Sequence, residues 1–156
     1  MNDHLNIRKM TDDDCVAVTH IIHDNLRHVN SRDYPVEIIN NMCRLFTPAY
    51  ISEISKTRSV FVIVRETEIV GTASLDKDTI YTVFVDVQYH RSGIGRKLIQ
   101  HVEKIALQSG VAQLKLPSSI TGQGFYEKLG YKAIKVIESE EFGRDIIMLK
   151  ELSVTE

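Results

Sequence analysis

"VFVDVQYHRSGIGRKLI", residues 83–99, decides how the rest of the chain is read. A β-branched and aromatic run, of the kind that suits a pleated strand, breaks into a polar turn. Gly93 and Gly95 stand two apart in that turn. An amphipathic segment follows at once, with Ile94, Leu98, Val102, Ile105 and Ala106 on one face as far as Gly110. A strand passing through such a turn into a helix leaves the first helical N–H groups unpaired beside a partial positive charge, which favours an anion. Glycine at 93 and 95 removes the Cβ atoms that would hold an anion off. Arg91, Arg96 and Lys97 add charge of the right sign. The same glycines also suit a plain tight turn, so the loop alone leaves both readings open.

Two phosphate loops do not fit. A P-loop NTPase needs Lys-Ser/Thr directly after its last glycine; this chain has Arg96-Lys97-Leu98. A dinucleotide fold needs G-x-G-x-x-G after the first strand and an acidic residue closing the next. Here Leu98 takes the third glycine's place, and "AQLKLP", residues 112–117, ends in leucine and proline.

Periodicity organises the remaining chain. "HLNIRKM" (4–10) reads as a short strand. "TDDDCVAVTHIIHDNLRHV" (11–29) reads as a helix that Thr11 can cap, with Asp14 three residues on and Val18, Ile21, Ile22 and Leu26 as its apolar stripe. "YPVEIINNMCRLF" (34–46) and "TPAYISEISK" (47–56) are shorter helices with proline near the start. Two antiparallel strands fill 59–76, a third 79–87, and "AQLKLP" a fourth. "TGQGFYEKLG" (121–130) is a short helix, and 131–139 with 144–152 form a closing hairpin. Antiparallel strands around one β-α-β unit predict an α+β sheet covered by helices, not a doubly wound parallel one.

Bulk numbers narrow the function classes. The 156 residues, 43% hydrophobic and 26% charged, are expected to form one domain over 1–156. A net charge of −2 argues against a nucleic-acid binder with a basic face. Cys15 and Cys43 lack metal-ligand spacing and are too few for a disulfide framework, so no metal and a reducing, cytoplasmic setting are expected. The opening "MNDHLNIRKM" shows no secretory leader, and no apolar run approaches the ~18 residues of a membrane span.

"GFYEKLGYK", residues 124–132, changes the weight of the glycine turn. Alone it is satisfied by a core stripe of Phe125 and Leu129 with Tyr126 a half-buried neighbour. In order with the turn it is more specific: strand, V-x-x-x-x-x-G-x-G from Val87, long helix, strand, F-Y-E-K-L-G-Y. The chain resembles the GNAT superfamily of acetyl-CoA-dependent N-acetyltransferases over residues 60–150, most strongly at 83–99 and 124–132. The first half agrees in element order only.

The resemblance implies a mixed, mostly antiparallel sheet whose fourth and fifth strands splay, with the pantetheine arm of coenzyme A in the gap. The family's loop, Q/R-x-x-G-x-G/A, falls on His90, Arg91, Ser92, Gly93, Ile94 and Gly95; with Arg96 these would cradle the pyrophosphate. Val83, Phe84 and Val85 would pair with pantetheine like an extra strand. His90 departs from the usual Gln or Arg, and Ser119 stands where many relatives carry a cofactor-contacting asparagine. Lys128 could reach a phosphate or serve as a solvated helix lysine.

Tyr126 matches the family's general acid: a phenol of ordinary pKa near ~10 can donate to a thiolate whose own is roughly 8.5. A backbone N–H near Val85, where the strand bulges, would hold the oxyanion, a contact worth about 3 kcal/mol. The base stays open among Asp78, Tyr81, His23, His28 and a water chain, and Pro117 occupies the place of a glutamate in some relatives. The acceptor pocket would lie along 25–36, with Arg32 and Tyr34, beside Tyr81 and the 139–145 turn. Its acceptor is a primary amine of a small molecule or peptide, not further selected. Two function classes stand at this point, a catalytic N-acetyltransferase and an acyl-CoA-binding module, and Tyr126 favours the first. A homodimer through the C-terminal hairpin is allowed, though core packing explains the same residues.

Overall fold

The computed structural model describes residues 4–153. Its strands are β1 (Leu5–Lys9), β2 (Ser59–Arg65), β3 (Glu68–Asp76), β4 (Thr79–Val85), β5 (Gln113–Ser119), β6 (Lys132–Ser139) and β7 (Gly143–Glu151). The helices are α1 (Cys15–His28), α2 (Val36–Leu45), α3 (Pro48–Ile54), α4 (Ile94–Gln108) and α5 (Gln123–Lys128). The seven strands make one sheet in the order β1-β2-β3-β4-β5-β7-β6.

β2 explains why helices cover both faces. All of residues 60–64 are buried. Side chains alternate across a strand, so Phe61 and Ile63 enter one cluster with Leu98, Val102 and Tyr126, while Val62 and Val64 enter another with Val18, Ile22 and Ile51. α4 and α5 therefore lie on one side and α1–α3 on the other. This is the α+β arrangement expected from the order of elements.

Every neighbouring pair of strands is antiparallel except β4–β5, which is parallel and keeps one register pair, Thr79↔Lys115. There the Lys115 N–H donates to the Asp78 carbonyl at 2.9 Å. Beyond it the two strands separate. Thr82, at φ 49°, is an extra residue in β4, and the β3–β4 register slips between Thr72 and Ser74. Such a bulge bends its strand and raises its twist. Pro117 works from the other side. The Lys115 N–H points at β4, so alternation aims position 117 the same way, and proline has no N–H to offer. β5 runs on to Ser119, two residues past the predicted end, because β7 pairs with it throughout.

The predicted helix over 11–29 opens with a 3-10 turn, Asp12–Asp14, before α1. Asp14 carries that start: it accepts the Thr11 N–H at 2.7 Å and both Arg8 nitrogens at 2.7 and 3.1 Å. The Arg8 guanidinium holds its carboxyl down to about 2. At the opposite edge, all of β6 is exposed, including Ile134, Val136 and Ile137. Among the described residues no helix is long and apolar enough to cross a membrane.

Candidate active site

The separation of β4 from β5 opens a cleft of ≈ 1080 Å³ running from the α4 N-terminus to α2 and the β6–β7 hairpin. Bonding parity fixes what β4 presents to it. The Asp86 N–H donates to the Val70 carbonyl at 2.8 Å, and Phe84 pairs with Thr72, so residues 84 and 86 serve β3. Val83 and Val85 therefore turn their backbone groups away from β3, toward the gap. The bulge lies at Thr82–Val83, earlier than the predicted position near Val85, and it is what gives Val83 this orientation.

The glycine loop serves two separate demands. Gly93 precedes α4 at φ 86°, with nothing within 4 Å of where a Cβ would stand, so its constraint is backbone conformation. At Gly95 the constraint is space: a Cβ there would lie 3.0 Å from Phe125 Cζ. Arg91 takes a left-handed φ of 63° without being glycine, a conformation that costs about 1 kcal/mol. Arg91, Ile94, Arg96 and Lys128 line the cleft, and none of the three cations has an ion-pair partner among the described residues. Ser92 does not line it; its hydroxyl donates to the Tyr89 carbonyl.

His90 lines the cleft, but its ring nitrogen points back into the protein. Nε2 stands 2.9 Å from the Val85 carbonyl and 3.0 Å from Asn25 Oδ1. Both partners are acceptors, so this nitrogen carries the proton and donates. Asn25 Nδ2 also donates to Val85 O at 2.8 Å and to Ile21 O at 2.9 Å, which fixes its amide. The departure at position 90 thus ties α1 to the end of β4. Ser119, also on the cleft, accepts the Gly122 N–H on its hydroxyl at 3.0 Å and shapes the turn into α5.

The core stripe that the α5 motif allows when taken alone, with Phe125 inside, does not form. Tyr126 is the buried ring, 8% exposed, and Phe125 the open one, at 38%. Tyr126 packs edge-on against Phe125 at 5.1 Å and Tyr131 at 6.1 Å. It lines the cleft with no hydrogen-bond partner for its hydroxyl among the described residues, and burial alone pushes the phenol up. It is a protonated donor at neutral pH.

On the α1–α3 side, Tyr34 and Tyr81 line the cleft and Arg32 does not. The buried Tyr34 hydroxyl donates to the Arg144 carbonyl at 2.7 Å and accepts the Ile120 N–H at 2.8 Å, so it braces the hairpin against β5. The Arg58 guanidinium lies 4.1 Å above the Tyr81 ring. Asp78 lies outside the cleft, at the joined end of β4 and β5. Thr79 donates to it at 2.9 Å and Lys115 stands 3.6 Å away; the hydrogen bond first, then that charge, hold its carboxyl low. A carboxylate so held is a poor base. His23 and His28 do not line the cleft either, and His23 Nε2 is 2.6 Å from the Phe46 carbonyl.

Two features escaped the sequence reading. Of six tyrosines and five phenylalanines, all but Phe61 and Tyr131 line this cleft. Asp145 is the one carboxylate among its described lining residues, and burial pushes that carboxyl up. Alternation along β7 could have found it: Ile146 and Met148 belong to the core, so residue 145 faces the other way. Among the described residues no group of three or more His, Cys, Asp or Glu could hold a metal.

Known proteins share this fold. A family model described as an acetyltransferase (GNAT) domain matches residues 37–152. The GCN5-related N-acetyltransferase structure from Rhodopseudomonas palustris superposes with a TM-score of 0.89 at 22% identity, covering 94% of this chain and 95% of that one. The PaiA N-acetyltransferase of Thermoplasma acidophilum, solved with coenzyme A, gives 0.80 at 19% identity over 95% and 99%. By sequence, the uncharacterized protein YyaT of Bacillus subtilis is 35% identical over 69 residues, 42% of this chain and 44% of that protein. A second Bacillus subtilis protein is 37% identical over 57 residues, 36% of each. The chain thus spans less than half the length of the curated relatives it matches. With a family match over most of its length and this fold around the cleft, the chain belongs to the GNAT acetyltransferase family.

Proposed function

We propose that the chain, acting as one unit over 1–156, transfers the acetyl group of acetyl-CoA to a primary amine of a small molecule or peptide. The observation that carries this reading is the unpartnered Tyr126 hydroxyl inside the cleft where β4 and β5 part. The residues present fit coenzyme A: a gap toward which the Val83 backbone turns, a glycine loop at a helix N-terminus, and three cations without ion-pair partners among the described residues. When bound, it supplies an acetyl group activated as a thioester.

Each residue then has a defined task. The Val83 carbonyl and the Val85 N–H, which face away from β3, hold the pantetheine amides, while the Phe84 backbone serves β3 and the Val85 carbonyl stays with Asn25 and His90. The N–H groups at the α4 N-terminus, with Arg91 and Arg96, hold the pyrophosphate. The Val83 N–H donates to the thioester oxygen, where negative charge grows. As the N–C bond forms and the C–S bond breaks, Tyr126 gives its proton to the departing sulfur and regains one from solvent. The proton lost by the amine leaves through cleft water. Asp78 takes no part, being low in pKa and outside the cleft. The buried free thiols of Cys15 and Cys43 agree with a cytoplasmic setting. A homodimer through the exposed β6 edge belongs to the same reading, and sedimentation would reveal it.

Isothermal titration with acetyl-CoA tests the donor site, with micromolar binding expected and no binding overturning the proposal. Free-thiol release over an amine panel tests the reaction. Binding without release for any amine would reassign the chain to a binding module.

A further inference from the structure

We infer that the acceptor half of the cleft is built for a primary monoamine with an apolar or aromatic body, whose ammonium is recognised by Asp145. The inference rests on the acetyltransferase reading and narrows its acceptor.

Charge is the first ground. Asp145 is the one carboxylate among the described lining residues, and on the α1–α3 side Arg58 faces the same space. A polycation would find a single counter-charge here and meet a guanidinium. A monocation finds its counter-charge and no second demand. Asp145 is also uncommitted: no described residue donates to it or pairs with it. Its neighbour Arg144 is turned to Glu138, with Nε at 2.8 Å, and Asp33 accepts the Thr121 hydroxyl at 2.7 Å. A partly desolvated carboxylate without a partner is costly until a cation arrives. Burial raises its pKa, and an ammonium at hydrogen-bond distance would reverse that shift.

The aromatic lining of the same cleft is the second ground. Phe46 meets Tyr50 edge-on at 5.7 Å and Phe84 at 6.3 Å, and Tyr81, Phe142 and Tyr34 continue the lining. These rings bury apolar area and present π faces to a cation. A carbon body of one ring or a short alkyl chain would cover them.

The test uses the full chain and three probes: 2-phenylethylamine, its neutral analogue 2-phenylethanol, and spermidine. In thiol release, 2-phenylethylamine should exceed spermidine at least tenfold in kcat/KM. By NMR line shifts on the coenzyme A-loaded protein, 2-phenylethylamine should bind at least tenfold tighter than 2-phenylethanol. Asp145→Asn should erase that difference and raise the amine KM at least tenfold, with the Kd for acetyl-CoA unchanged. Equal or better turnover of spermidine, or equal binding of amine and alcohol to the wild-type chain, overturns the inference. The amine–alcohol comparison needs no variant, so a poorly folding Asp145→Asn does not blunt it. Absent acetyl-CoA binding strikes the functional reading instead, and the NMR comparison then still reads the cation site on the unloaded chain.

Discussion

The wall formed by β4, α4 and α5 and the wall formed by α1–α3 with the β6–β7 hairpin enclose one cleft by different means. The first is mostly backbone: a bulged strand, a left-handed glycine, a helix N-terminus and cations at its rim. The second is mostly side chain, with aromatic rings and one carboxylate among its described lining residues. Backbone recognises what every member of a family shares, because its geometry depends on few residue types. Side chains recognise what differs between members. On the proposed function, the first wall would announce a chemistry and the second a substrate.

Variants that damage one wall and spare the other probe this division. Tyr126→Phe has the largest expected effect: kcat falls about 100-fold while the Kd for acetyl-CoA stays within twofold, as measured by thiol release and titration. Unchanged turnover would remove the tyrosine from the acid role. Tyr34→Phe strikes the scaffold of the acceptor wall, leaving the Ile120 N–H and the Arg144 carbonyl without their bridge. It should cost about 2 kcal/mol in urea denaturation and raise the acceptor KM more than that of acetyl-CoA.

Asp14→Asn loosens the start of α1. The folded carboxyl is held to about 2, below its unfolded value, so its contribution is full above the unfolded pKa and fades as pH falls through the folded one. Water around the 40%-exposed Arg8 side chain limits the loss at pH 7 to about 1–2 kcal/mol. The stability gap between the two proteins should narrow steadily below pH 5 in denaturation curves. The smallest effect is expected at His90→Ala, about a threefold rise in the KM for acetyl-CoA, since α1 loses one tie to β4. His90→Gln should restore most of it, because an amide can also donate to the Val85 carbonyl; no rescue would mean the ring itself touches the ligand.

The same division explains what could be read from the chain. Gly93, Gly95 and Tyr126 are legible because each sits in a motif that is contiguous in sequence. The burial order on α5 is not legible, because spacing shows which residues share a helix face, but not which face meets the core. Phe125 instead covers Gly95, a contact that no local pattern encodes. Asp78 looked suitable beside β4, yet its chain neighbour Thr79 and the distant Lys115 hold it low at the wrong end of the strand. Asp145 stands far along the chain from Tyr34, Phe46, Tyr50, Tyr81 and Phe84, and they line one cleft only when the sheet is assembled. The sequence order of elements predicts the sheet; it does not say which side chains meet across the opening.

Pro117 has a consequence for the protein with nothing bound. Two adjacent strands of similar direction would ordinarily knit together along their length, and any guest would have to unpick them. A residue that cannot donate, set where the next rung would form, works as a zip stop. The slot is kept ajar by covalent structure, so the Val83 backbone groups that turn toward it are not first engaged with β5.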